Sequence, residues 1–198
     1  ETGLGSFSPE WWHIQNDLAR TVKTVTFDRS GYGWSTVGPF PRTPRQEALE
    51  LKALLENLRI KGPYILVGHS LGGIYIDQFS RMYPGEVAGA VFIDPMPQDF
   101  DAFSRELKSK VLRQSGLDES GSIKLLGKLA HLGILRLLKP YMKNSPPFCY
   151  YNRIPEKTVD ILWNHFNLAQ GYKTQLDELE QVHTKTAQQG LKEAGGFP

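Results

Sequence analysis

The sequence predicts an α/β protein, a parallel sheet with crossover helices joined to an α-helical cap. Three observations carry that reading. Strand-like and helical patterns alternate between Thr21 and Ile93 at the spacing of βαβ units. A Gly-x-Ser-x-Gly turn at residues 68–72 stands between an apolar run and a helix. From about Pro95 to about residue 190 the texture turns almost wholly helical.

Ser8-Pro9-Glu10 opens the first element, with a hydroxyl in capping position and proline at the first helical turn. Trp11, Trp12, Ile14 and Leu18 continue it as a short helix. Thr21–Phe27 alternates and is rich in β-branched residues, which predicts a strand. Thr43-Pro44-Arg45-Gln46 starts the next helix with capping-box spacing, and Ala48, Leu49, Leu51, Leu54, Leu55 and Leu58 keep its period. Tyr64–Val67 is a continuous apolar run suited to a strand buried on both faces. Gly73–Tyr83 reads as a helix stopped by Pro84, and Val87–Ile93 as a further strand. Beyond it the helical stretch is expected to break at residues 116–121, at Pro140 and at residues 144–147. The expected division is a core over 1–97, a helical cap over 98–190 and a return toward the core over 191–198.

Composition excludes several classes. The 198 residues carry 23 Lys and Arg against 21 Asp and Glu, a net charge of +2, with no clustered basic face for nucleic acid. One cysteine, Cys149, cannot make an internal disulfide framework. No cofactor or metal is expected.

The sharpest signal is Gly68-His69-Ser70-Leu71-Gly72-Gly73, at a strand's end and a helix's start. A serine on so tight a turn crowds its neighbours, and glycines at 68 and 72 remove the β-carbons that would collide. The following helix aims its amide donors and its positive dipole end at the same point. Ser70 is therefore the candidate nucleophile, and the Leu71 amide a candidate oxyanion donor. His69 is next to Ser70 in the turn, points elsewhere and reads as structural.

With this elbow in place, four segments in order resemble the α/β-hydrolase family. Thr2-Gly3-Leu4-Gly5-Ser6 resembles the family's His-Gly-x loop after the third strand, with threonine where histidine is usual. The resemblance makes the Leu4 amide the second oxyanion donor. Asp28-Arg29-Ser30-Gly31-Tyr32-Gly33-Trp34-Ser35 resembles the Asp-x-x-Gly-x-Gly-x-Ser turn after the fourth strand. The elbow follows the fifth, and Tyr83-Pro84 through Asp94 resembles the segment around the sixth. The resemblance implies a serine hydrolase, with esters, thioesters and small amides as candidate substrates, and an esterase or lipase acting on acyl or aryl carboxylic esters is the first choice. Serine at the elbow sets it apart from dehalogenases and epoxide hydrolases of the same fold, which use aspartate there. The alternatives are a non-catalytic small-molecule binding protein of this fold, or an inactive piece that needs a complementing chain.

In this family the order is serine, acid, histidine, and the last two follow strands that are not visible here. Asp94, after the sixth strand, takes a position that some lipases of the family use for the acid, although a structural aspartate is the commoner reading. His13, His131, His165 and His183 all fall on apparent helices and read as ordinary surface or partly buried histidines. The fold is thus expected to be incomplete at both ends, with a complementing polypeptide segment supplying the third, seventh and eighth strands. Buried amides left unpaired by a missing strand would cost about 1–3 kcal/mol each.

Residues 121–143 contain Lys124, Lys128, Arg136, Lys139 and Lys143 and no acid, among nine leucines and isoleucines. Such a basic amphipathic helix can pack over the core and pocket, or lie on a lipid surface. Either way an apolar mouth is expected.

Overall fold

The computed structural model describes residues 1–99, 103, 105–107, 120–142, 144 and 148–197. Part of the expected break at 116–121 and all but Asn144 of that at 144–147 lie outside these residues. The chain packs as two compact units. One comprises Glu1–Leu4, Pro39–Glu119 and Asp177–Pro198, the other Gly5–Gly38 and Ser120–Leu176.

In the first unit the apolar run forms β1, Tyr64–His69, paired in parallel with β2, Val87–Ile93. Register runs from Ile65 opposite Gly89 to His69 opposite Ile93, after an irregularity between Tyr64 and Ile65. The crossover from β1 to β2 contains a helix, Leu71–Met82, buried from Leu71 to Ser80. A second helix, Pro44–Asn57, lies against it and buries Ala48, Leu51 and Leu55. Its expected cap is present, with the Gln46 N–H donating to Thr43 Oγ1 at 3.1 Å. The Gln46 side chain donates to Glu50 rather than closing a capping box. A third helix, Lys185–Glu193, packs on both.

The two faces of this sheet differ. A Cβ on Gly73 would sit 3.5 Å from Phe92 Cδ1, so Phe92 and its register partner Gly68 face the crossover helix. Alternation turns Ile65, Val91 and Ile93 to the other face, where they are 71%, 47% and 41% exposed. Parallel sheets are ordinarily covered on both faces. Among the described residues the crossover helix covers Leu66 and Gly68 on one face, while Phe92 at the end of β2 is 40% exposed on that same face.

The second unit begins with a 3₁₀ turn, Ser8–Trp11, leading into α1, Trp12–Leu18. In chain order the Pro44–Asn57 helix is then α2 and the Leu71–Met82 helix α3. The expected serine cap is not used: Phe7 holds the cap position, and the Ser8 N–H donates to Asp28 Oδ1 at 2.8 Å. The cap region contributes α4, Ser120–His131, then α5, Leu135–Met142, and α6, Glu156–Phe166. Next is α7, Ala169–Val182, whose part from Asp177 belongs to the first unit. The Lys185–Glu193 helix is α8. Phe7, Tyr32 and Leu162 form a small core with Tyr151 and Ile161 packed on it. Phe148, Trp163, Phe166 and Tyr172 continue it as edge-on and stacked rings with centroids 4.7–5.8 Å apart.

Three expectations are corrected. Thr21–Phe27 is not a strand. Its β-branched composition is right, but a strand exists only through ladder hydrogen bonds, and no described segment pairs with it. The amphipathic helix expected within 121–143 is two helices, because Gly133 adopts φ 73° and turns the chain between α4 and α5. Pro140 lies inside α5 rather than breaking it.

Residues 5–38 pack with the cap helices: Tyr151 Oη donates to Glu10 Oε1 at 2.8 Å, and Gln170 Nε2 to the Ser35 carbonyl at 3.1 Å. Burial and the Glu10 carboxylate together raise the Tyr151 phenol well above its ordinary pKa. Residues from Asp177 return to the first unit, where the Asp177 carboxylate accepts from the Arg42 N–H and Val182 packs with Leu71.

Candidate active site

Between β1 and α3 the chain must turn from an extended strand into a helix within one residue, and that residue is Ser70. It adopts φ 50°, ψ −119°, a conformation that costs a non-glycine residue about 1–3 kcal/mol. Surrounding hydrogen bonds hold it there. The Ser70 N–H donates to the Ile93 carbonyl at 3.1 Å, and the Ser70 carbonyl accepts from Gly73 at 3.0 Å and Met96 at 2.9 Å. The turn is thus tied to both sides of β2's end.

The glycines fit as expected. A Cβ on Gly68 would lie 2.6 Å from the Gly72 carbonyl oxygen, and one on Gly72 would lie 2.6 Å from that of Thr2. Both obstacles are backbone, so neither can swing aside. Gly72→Ala is therefore expected to destabilise the first unit by about 1–3 kcal/mol, as overpacking does. The measurement is the midpoint of urea unfolding, which should fall with its slope unchanged.

The first residues run beside β1. The Glu1 amine donates to the Val67 carbonyl at 2.6 Å, and the His69 N–H donates to the Glu1 carbonyl at 3.1 Å. That pairing brings Gly3 against the elbow, where its Cβ would lie 3.3 Å from Ser70 Cβ and 3.2 Å from His69 Nδ1. Leu4 then packs on the cluster of Leu71, Ile74, Tyr75, Val182 and Leu191, as does Met96. Neither the Leu71 nor the Leu4 amide donates to a backbone carbonyl of any described residue outside a helix or strand. As the first residue of α3, Leu71 also has no intrahelical acceptor.

The other candidates fall differently. Asp94 is exposed at φ 43°, between Ile93 and Met96, the two residues that bond the Ser70 backbone. His13 and His131 are exposed on α1 and α4 of the second unit. His165 is packed between Phe7 and Trp34, its ring 4.7 and 4.6 Å from theirs. Its Nδ1 lies 3.0 Å from the Ile161 carbonyl, which can only accept, so that nitrogen carries the hydrogen. This is a structural histidine. His183 alone of the four shares Ser70's unit, following Val182 at the end of α7. Among the described residues no group of three or more His, Cys, Asp or Glu is arranged to hold a metal.

Sequence reasoning missed the ties from β2 to the Ser70 backbone, which no local pattern reports. It also missed a buried charge cluster. Arg42 is wholly buried and bonds Glu47 at 2.8 Å, both Glu50 oxygens at 2.7 Å and the Pro39 carbonyl at 3.0 Å. Glu47 and Glu50, three apart on one helix face behind an arginine, were the available signal.

With this geometry in view, the model of the alpha/beta hydrolase family matches residues 3–181. The chain belongs to the α/β-hydrolase family. Its relatives include the uncharacterized protein YqjL of Bacillus subtilis, 29% identical over 70% of this chain and 58% of that protein. Putative methylesterase 14, chloroplastic, of Arabidopsis thaliana is 30% identical over 80% of this chain and 45% of its own length. The (lyso)-N-acylphosphatidylethanolamine lipase of Bos taurus is 35% identical over 42% of this chain and 26% of its own. A solved structure from work on carboxylesterases of Nitrososphaera gargenis superposes with TM-score 0.63 at 19% identity, covering 98% of this chain and 66% of that one. It shares this α/β-hydrolase fold. The chain spans less than two thirds of the length of the relatives it matches.

Proposed function

We propose that this α/β-hydrolase chain carries the nucleophile of a serine hydrolase that cleaves apolar carboxylic esters through an acyl-enzyme on Ser70. The observation that carries the reading is the strained φ 50° of Ser70 at the head of α3, with the Gly3–Leu4 loop against its Cβ. Strain kept at one serine, beside two amides without a backbone acceptor among the described residues, suits covalent catalysis. A base takes the Ser70 Oγ proton as Oγ bonds to the ester carbon, and the Leu71 and Leu4 amides hold the oxyanion. The tetrahedral adduct collapses, breaking the bond to the alcohol, which leaves with the proton. Water then repeats the sequence on the acyl-enzyme and releases the acid. Leu4, Leu71, Met96 and Val182 make the surroundings apolar, in keeping with acyl or aryl substrates. The esterase and lipase names among the relatives agree with that class.

The acid and the base are part of the proposal. A complementing polypeptide segment supplies them and covers the face of Ile65, Val91 and Ile93. A second reading, a binding protein without catalysis, draws on His165, whose Nδ1 is committed to the Ile161 carbonyl and whose ring is packed by Phe7 and Trp34.

Fluorophosphonate profiling of extracts from the source cells separates the readings, with mapping to the tryptic peptide 62–81 that contains Ser70. The expected result is covalent label at Ser70 in the extract and little on the isolated 198-residue chain. Ser70 unlabelled in the extract would overturn catalysis in favour of binding, and rapid labelling of the isolated chain would overturn the complementing segment.

A further inference from the structure

The surface of α4 and α5 has features that catalysis at Ser70 does not call for. Both helices are amphipathic, and their inner positions are satisfied: Ile123, Ala130 and Leu135 are buried. The outer positions are not uniformly polar, as a solvated face would be. Leu125, Leu132, Leu137 and Tyr141 are 57%, 69%, 75% and 79% exposed. Single exposed leucines are ordinary. Leu125 on α4, Leu132 in the turn after it, and Leu137 and Tyr141 on α5 make four large apolar side chains at such exposure within seventeen residues, more than scattered single leucines.

The charges in the same stretch have one sign. Lys124, Lys128, Arg136 and Lys139 are all exposed, and residues 121–143 contain no Asp or Glu. Only Lys139 is drawn aside, to Asp160 at 2.8 Å. Lys124, Lys128 and Arg136 form no ion pair with any described residue. Lys124, Leu125 and Lys128 on α4 and Leu132 just after it are all exposed, so cations and leucines are interleaved rather than segregated.

The geometry points to an anionic phospholipid surface as the occupant of this face. Leucines enter the acyl boundary, the tyrosine sits at headgroup level, and long basic side chains lie along the apolar surface while their charges meet lipid phosphates. No helix of the described residues is long and apolar enough to cross a membrane, so α4 and α5 lie in the interface plane. A soluble acidic partner would answer the charges but leave the leucines unsatisfied. The inference stands independently of what Ser70 does.

The test is co-sedimentation of the 198-residue chain with vesicles of phosphatidylcholine alone, and of phosphatidylcholine with phosphatidylserine in equal parts. Binding to the mixed vesicles, weakened by salt, is the expected result. Lys124→Gln, Lys128→Gln and Arg136→Gln together should weaken it about a hundredfold, since each cation near such a surface contributes about fivefold. Leu125→Gln with Leu137→Gln should weaken it about tenfold or more. Lys157→Gln, exposed on α6, should leave it unchanged. Circular dichroism confirms that each variant is folded. Equal binding to both vesicle types, or no binding, overturns the inference. So does self-association in gel filtration that the leucine variant abolishes, because the occupant is then a second copy of the chain.

Discussion

Replacing Ser70 by alanine in the source protein is expected to lower ester hydrolysis by about four to six orders of magnitude, with the fold intact. The loss is large because the nucleophile, the base and the oxyanion donors act as one unit. Without Oγ no acyl-enzyme forms, and the remaining groups can only bind and polarise the ester. The measurement is the turnover of a p-nitrophenyl acyl ester, with a tryptophan emission spectrum unchanged from wild type. Ser70→Gly adds an arm that does not depend on activity. Glycine enters the φ 50° region freely, so this variant should be more stable than Ser70→Ala by about 1 kcal/mol. Equal unfolding midpoints for the two would mean that Ser70 stores no strain. Retained turnover in Ser70→Ala would place the chemistry elsewhere.

The elbow was legible because the constraints that choose its residue types are local, whereas the ties from Ile93 and Met96 that hold it were not. A strand, a helix and glycines at 68 and 72 suffice to specify a serine that could not otherwise make the turn. The strand Val87–Ile93 and the helices from Pro44 and Leu71 were legible for the same reason, each having its period within its own residues. Thr21–Phe27 fails where a strand depends on a neighbour. Its alternation records a preference for pairing, and a preference without a partner makes no strand. The packing of residues 5–38 with the cap helices was not legible because Phe7 and Tyr32 meet Leu162 across more than a hundred residues, which no periodicity encodes. His165 reads as any helical histidine until the structure puts Phe7 and Trp34 on its ring.

Arg42 is the case in which sequence reasoning sees an ordinary cation and the structure makes it a point of failure. Arg42→Met is expected to destabilise the protein by about 3–5 kcal/mol, the usual cost of breaking a buried ion pair from one side. The guanidinium holds Glu47 and Glu50 together where Glu47 has almost no solvent, and it caps the Pro39 carbonyl. Removing it leaves two carboxylates converging in a poorly solvated site. Opposing effects of burial and the two carboxylates leave the guanidinium with a raised pKa, so it stays charged throughout the accessible pH range. Arg42→Lys should recover little, because a single ammonium cannot bond Glu50 in two places while reaching Glu47. Arg42→Met with Glu47→Leu and Glu50→Leu should recover much of the loss, since an apolar replacement removes the charges along with their partner. Thermal unfolding reads the series, the single variant falling by about 10 °C or more. A single variant within a degree or two of wild type would show that solvent reaches the cluster and that the arginine contributes no more than a surface pair.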